Sequence, residues 1–235
     1  MANKKTTNLV KGKSSSKDVS AFIDTLAKMP AVSKSSARLV FALDATLSRA
    51  ATWDKASQIQ AEMFSETTNL GGLAMQLSYY RGFNEFYCSV FHTNTASLLR
   101  EMTQVQCLGG YSQIARIFKQ ALQTHRQQPL KGVVFIGDAC EEDVDQLCDL
   151  AGQLGLFKIP VFIFHEGKSS PVERVFRDIA KLSGGAYCPF DTNSANQLKE
   201  LLTAVAVFAS GGRKALTDLS KTKGESVKLL TQQLK

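Results

Sequence analysis

The chain has 235 residues, 44% of them apolar, and a formal net charge of +7. That length suits one α/β domain with tails and the apolar share suffices for a packed core, while no apolar run nears the ~20 residues a membrane-spanning helix requires. The five cysteines, Cys88, Cys107, Cys140, Cys148 and Cys188, lack paired C-x-x-C spacing, which argues against a disulfide framework and against a zinc site.

The charge sits at the ends. Residues 1–17 hold five lysines and no acids, residues 211–235 hold six basic and two acidic side chains, and the stretch between is slightly acidic. Residues 1–17 read as a disordered basic tail. Neither end interleaves aromatics with its cations, so nucleic acid is not expected beyond weak tail electrostatics. No apolar segment follows the first lysines as a signal peptide would require, and the chain is expected to be cytoplasmic, with no membrane partner.

Val19, Phe22, Ile23 and Leu26 recur at helical spacing ahead of Pro30, so residues 18–34 read as a helix and connector. The run Leu39-Val40-Phe41-Ala42-Leu43 predicts a buried strand, and residues 55–68 a helix that Gly71-Gly72 ends. Strands over 73–80 and 85–91 follow, joined only by Arg81-Gly82-Phe83-Asn84. Four residues cannot cross over, so this pair must be an antiparallel hairpin. A helix over 96–105 then climbs back and sets Gly109-Gly110-Tyr111-Ser112 beside the end of the first strand.

Helices over 112–125, 143–154, 171–182 and 195–208 alternate with strands over 132–136, 161–164 and 186–189. This pattern predicts an α/β, doubly wound (Rossmann-like) fold over residues 35–210. Its six-stranded sheet is mostly parallel with one antiparallel edge strand, and helices cover both faces. Residues 211–235 read as a basic, partly helical tail in which Val227, Leu230 and Leu234 share a face. The pattern does not decide whether that face docks on the domain or on a partner.

Connectivity alone brings Asp44, Thr46, Ser48, Ser112 and Asp138 to one edge of the sheet. Carboxylates and hydroxyls are the oxygen ligands that Mg²⁺ or Mn²⁺ accepts. Taken singly, each of these residues also serves as a helix cap or a loop hydrogen-bonder. Taken together, Asp44-Ala45-Thr46-Leu47-Ser48, Gly109-Gly110-Tyr111-Ser112 and Val133-Val134-Phe135-Ile136-Gly137-Asp138 resemble the metal-ion-dependent adhesion site (MIDAS) of the von Willebrand factor type A (VWA) family. Asp44 and Ser48 match the family's first loop, with Thr46 in place of the commoner serine. Ser112 stands where threonine is usual and Asp138 where the second aspartate falls. Gly137 and Ala139 depart from the usual hydroxyl and glycine, so the motif is a variant.

The resemblance implies a non-enzymatic interaction module whose bound Mg²⁺ or Mn²⁺ accepts an Asp or Glu side chain of a partner protein. Intracellular, bacterial-looking members of the family look like adaptors, which makes an ATPase or chaperone machine the expected kind of partner. The alternative is a metal-dependent phosphatase on a related sheet. In the haloacid-dehalogenase-like family, one such phosphatase family, a second aspartate is needed two residues after the first, where this chain has Thr46. No G-x-G-x-x-G follows the first strand, which argues against a dinucleotide. Trp53 is expected to pack over the first helix. His165 and Glu166 are expected at the motif's edge and His92 at the opposite one, with no catalytic role. Cys140, beside Glu141 and Glu142, lacks the electropositive surroundings of a reactive thiol.

Overall fold

The run read as a buried strand forms the centre of β1 (Ala37–Asp44) and is enclosed on both faces, as expected for a strand between two helical layers. Leu39, Phe41 and Leu43 enter one core while Val40 and Ala42 enter the other, following the two-residue alternation of a strand. The computed structural model describes residues 37–50, 73–167, 169–190, 195–221 and 225–234. Contacts divide the chain into Met1–Ser35 and Ser36–Lys235, and all described elements belong to the second unit. The basic tail at 1–17, the helix before Pro30, Trp53, the helix over 55–68 and Gly71-Gly72 lie outside the described residues.

β2 (Leu73–Arg81) pairs parallel with β1, and β3 (Glu85–His92) folds back antiparallel on β2. The turn between them starts at Gly82, whose φ of +58° suits glycine. α1 (Thr95–Thr103), capped by the Asn94 side chain at the Ala96 N–H, returns the chain to the carboxyl edge. Then α2 (Ile114–Gln127), β4 (Gly132–Gly137), α3 (Val144–Leu156), β5 (Val161–Glu166), α4 (Ser170–Ser183) and β6 (Ala186–Phe190) alternate.

The strand order is β3-β2-β1-β4-β5-β6, parallel throughout except for β3. This is the expected doubly wound sheet. The order grows outward from β1 in one direction and from β4 in the other, so the switch point lies between them, where such sheets leave a crevice at the strand ends. Asp44 and Asp138 emerge there.

Helices α2, α3 and α4 cover one face through Ile117, Phe118, Leu147, Leu154, Phe176 and Ile179. The other face receives Leu98 and Met102 of α1 and Leu202, Val205 and Ala206 of α5 (Ala195–Ser220). α5 outlasts the expected end near Phe208: Gly212, at φ 69° and ψ −166°, kinks it and the helical path resumes to Ser220. In α6 (Glu225–Gln233) and just after it, Val227, Leu230 and Leu234 join this same core, so the shared face docks on the domain. At the β6 edge, Gln233 receives the Tyr187 N–H at 2.8 Å and donates to the Tyr187 carbonyl at 3.0 Å. Its carboxamide thus satisfies backbone groups that an edge strand would otherwise present for pairing. Among the described residues, no helix is long and apolar enough to cross a membrane.

Candidate functional site

Asp44 ends β1 with 0% of its surface exposed. Its Oδ1 accepts the Thr46 N–H at 2.8 Å and its Oδ2 accepts the Tyr80 hydroxyl at 3.0 Å. Tyr80 reaches it because the β1–β2 register sets these two residues side by side. Burial raises the Asp44 carboxyl from 3.8 to about 6; the hydrogen bonds from Thr46 and Tyr80 oppose that rise, and the charge of Asp138 adds to it. Burial, followed by the charge of Asp44, pushes the Tyr80 phenol well above its usual 10.

The next residues turn tightly, with the Arg49 N–H donating to the Thr46 carbonyl at 3.0 Å around a single 3₁₀ turn, Leu47–Arg49. That turn brings Thr46 Oγ1 and Ser48 Oγ to 3.1 Å from each other. Thr46 also bridges Leu108 in parallel fashion, which fastens the loop after α1 to the end of β1. The Arg49 side chain, 1% exposed, pairs with Glu166 at the end of β5 at 3.2 Å.

Ser112 is buried and locked to Glu141 in both directions. The Glu141 N–H donates to Ser112 Oγ, and the Ser112 N–H donates to the Glu141 carboxylate, each at 2.9 Å. Glu142 accepts the N–H groups of Ile114 and Ala115, so a carboxylate from a distant loop caps α2, whose own N-cap residue Gln113 makes no side-chain cap. The loop that carries Asp138 is thereby pinned to the start of α2. Asp138 Oδ1 is buried and, among the described residues, has no hydrogen-bond partner.

Asp44, Thr46 and Ser48 therefore form one linked set, and Asp138 acts on Asp44 through its charge. Ser112 shares the edge, but its hydrogen bonds run to Glu141. Tyr80, and the roles of Glu141 and Glu142, escaped the sequence reading. A register for β1 against β2 would have exposed Tyr80; nothing local marks the two glutamates. His165 lies at the same edge, buried, with Nδ1 2.9 Å from the Tyr187 hydroxyl, and burial lowers its pKa. His92 pairs in register with Met75 near the opposite end of the sheet, and lies 3.2 Å from Glu101. Burial pushes the Cys140 thiol up to about 11, the reverse of activation.

Among the described residues, no three His, Cys, Asp or Glu side chains cluster as metal ligands. A cation held here would rely on hydroxyl oxygens as much as on carboxylates. The donors present fit that role: two mutually repelling carboxylates, a buried carboxylate oxygen with no donor, and two adjoining hydroxyls suit a hard divalent ion.

No protein-family model matches the chain, and no curated protein matches it in sequence. Solved structures do match. The SpRpn10 VWA domain superposes with a TM-score of 0.54 at 14% identity, over 73% of this chain and 94% of that one. The fold is that of a VWA domain. Proximal thread matrix protein 1 from the mussel byssus, with a zinc-occupied MIDAS motif, gives a TM-score of 0.57 at 12% identity over 74% of this chain and 46% of that one. For the human COPII-coat protein Sec24c the values are 0.54 and 8%, over 74% and 32%. This chain spans less than half of either of the last two proteins, and at such identities the likeness is one of fold.

Proposed function

We propose that this VWA-like chain is a non-enzymatic protein-interaction module that uses a divalent cation, Mg²⁺ or Mn²⁺, to bind an Asp or Glu side chain of a partner protein. The observation that carries this reading is the buried Asp44 carboxylate under the charge of Asp138, whose Oδ1 is itself buried. The charge of Asp138 raises the cost of ionising Asp44, Asp138 Oδ1 accepts no hydrogen bond among the described residues, and the hydroxyls of Thr46 and Ser48 adjoin each other on the loop after Asp44. Thr46, Ser48 and Ser112 would hold the ion through their hydroxyl oxygens, with Asp44 and Asp138 bound directly or through water. The ion would supply an open coordination position for a carboxylate.

The chain's own groups prepare that position. Thr46 N–H and Tyr80 O–H fix both oxygens of Asp44, and the Glu141 and Glu142 bonds fix the approach of the Asp138 loop to α2. A zinc-occupied MIDAS in a structural neighbour supports divalent ion use on this fold. The residue two positions after Asp44 is a hydroxyl, not a second carboxylate, which favours binding over phosphatase chemistry.

Calorimetric titration of the full chain tests the reading. Mg²⁺ or Mn²⁺ should bind at one ion per chain, and binding should vanish in the double variant Asp44→Ala/Asp138→Ala. Equal binding by that variant would overturn the assignment.

A further inference from the structure

The edge that carries the candidate oxygen donors also carries exposed apolar surface. Leu47, 61% exposed, lies between Thr46 and Ser48, and Tyr111, 60% exposed, directly precedes Ser112. Phe83, 75% exposed at the tip of the β2–β3 turn, meets Tyr111 edge-to-face with ring centres 5.5 Å apart. Leu108, the bridge partner of Thr46, is exposed as well.

These side chains are held together by backbone. The Ala45 N–H donates to the Tyr80 carbonyl at 3.0 Å, the Leu108 N–H to the Ala45 carbonyl at 3.1 Å, and the Gly82 N–H to the Leu108 carbonyl at 3.4 Å. Gly110 lies so close to this turn that a Cβ on it would stand 1.8 Å from the Gly82 carbonyl oxygen. Only glycine permits that approach, which sets the Phe83 and Tyr111 rings against each other. Clustered exposed apolar residues of this kind mark interaction surfaces, and rigid aromatic rings lose little entropy when covered.

The charge beside the rings selects the partner. Arg116 stacks over Phe86 at 5.1 Å, and its guanidinium donates to the Asn84 carbonyl, Asn84 Oδ1 and Gln113 Oε1, all neutral acceptors. Glu85 is paired with Arg81, Glu141 and Glu142 accept backbone N–H groups of Ser112, Ile114 and Ala115, and no ion pair to Arg116 is found among the described residues. The cation at the turn thus keeps its positive charge for a ligand.

We propose that Phe83 and Tyr111, with Leu47, Leu108 and Arg116, form a docking step for an acidic–apolar segment of another protein. An Asp or Glu of that segment occupies the site at Thr46 and Ser48, and a large apolar residue within a few positions of it covers the two rings. Further acidic residues face Arg116. The position of the first carboxylate rests on the function proposed above; the aromatic step does not.

Selection of random peptides displayed on phage against the full chain in Mg²⁺ tests this. The selected peptides should pair an acid with Phe, Leu or Trp, and the best of them should lose about tenfold or more in affinity to Phe83→Ser/Tyr111→Ser, the scale of a lost aromatic anchor. Mg²⁺ binding and the melting temperature of that variant should stay unchanged. Phe83→Ser alone, remote in sequence from Ser112, should give a smaller loss in the same direction, and Arg116→Ala should flatten the salt dependence of binding. Peptide affinity kept within twofold by the double serine variant would overturn the docking step, even where Asp44→Ala/Asp138→Ala abolished binding. The converse, loss with the serines and none with the alanines, would retain the step and overturn the metal reading. Failure to enrich any acidic–apolar peptide would overturn the proposal, as would sedimentation showing that the wild-type chain is a dimer which the serine variant dissolves.

Discussion

The two ends of the sheet treat their polar groups differently. At the amino end, where α4 gives way to β6, the groups close on one another: the Val161 N–H donates to Ser183 Oγ at 3.1 Å, Ser183 Oγ donates onward to the Ala180 carbonyl at 3.0 Å, and Gln233 satisfies both backbone groups of Tyr187. At the carboxyl end, the charge of Asp138 bears on the buried Asp44, and among the described residues one buried oxygen of Asp138 has no donor. The same chain that completes its bonds in one place leaves them incomplete in the other. Incompleteness of that kind costs stability, which is the usual mark of a site shaped for a ligand.

The contrast can be broken first at its closed end. Removing residues 222–235 strips Val227, Leu230 and Leu234 from the core. At about 1.5–3 kcal/mol for each buried aliphatic side chain, the loss should be on the order of 5 kcal/mol, read from urea denaturation.

The open end should respond in the opposite sense. Asp44 titrates at about 6 in the folded chain against 3.8 unperturbed. Its contribution to stability is therefore fully present below about pH 4 and is lost as pH rises through about 6. At pH 7.5 in EDTA the ionised carboxylate costs about 3 kcal/mol, an upper figure from a shift of about two pH units. Asp44→Asn should accordingly raise stability under those conditions by up to that amount, with the gain fading towards pH 4. A variant less stable than wild type at pH 7.5 would show that the hydrogen bonds from Thr46 and Tyr80 outweigh the burial of charge.

Tyr80→Phe gives a smaller and opposite effect. It removes a donor from a buried carboxylate, so about 2 kcal/mol should be lost at pH 7.5, less at pH 4 where Asp44 is protonated. Thermal unfolding at the two pH values separates this from a simple packing defect, which would cost the same at both.

The sheet was largely legible in the sequence because its signals are local. The continuous apolar run of β1, the four-residue hairpin link and the alternation from α2 onward each constrain topology without knowledge of register. The placement of Asp44, Thr46, Ser48 and Asp138 at the carboxyl edge was legible for the same reason, since they follow strand ends. Tyr80 was not, because its hydroxyl meets Asp44 across 36 residues of chain and only a register reveals it. Glu142 caps a helix 28 residues earlier, and Gln233 reads an edge strand 46 residues away. Such partners are chosen by the finished fold, where a local pattern carries no trace of them. At Gly212 a residue type that commonly terminates helices instead bends one that continues.

The pair between Arg49 and Glu166 has a last consequence. Stripping a buried guanidinium of its carboxylate is expensive, so the turn that carries Thr46 and Ser48 is anchored to the end of β5 at its far side, as the Leu108 bridge anchors it at the near side. A loop held at both flanks should keep one shape before and after an encounter. A peptide binding there would then give up mainly its own freedom. Recognition at this edge should then behave as a lock whose tumblers are already set, with selectivity arising from the visitor's sequence more than from any accommodation by the host.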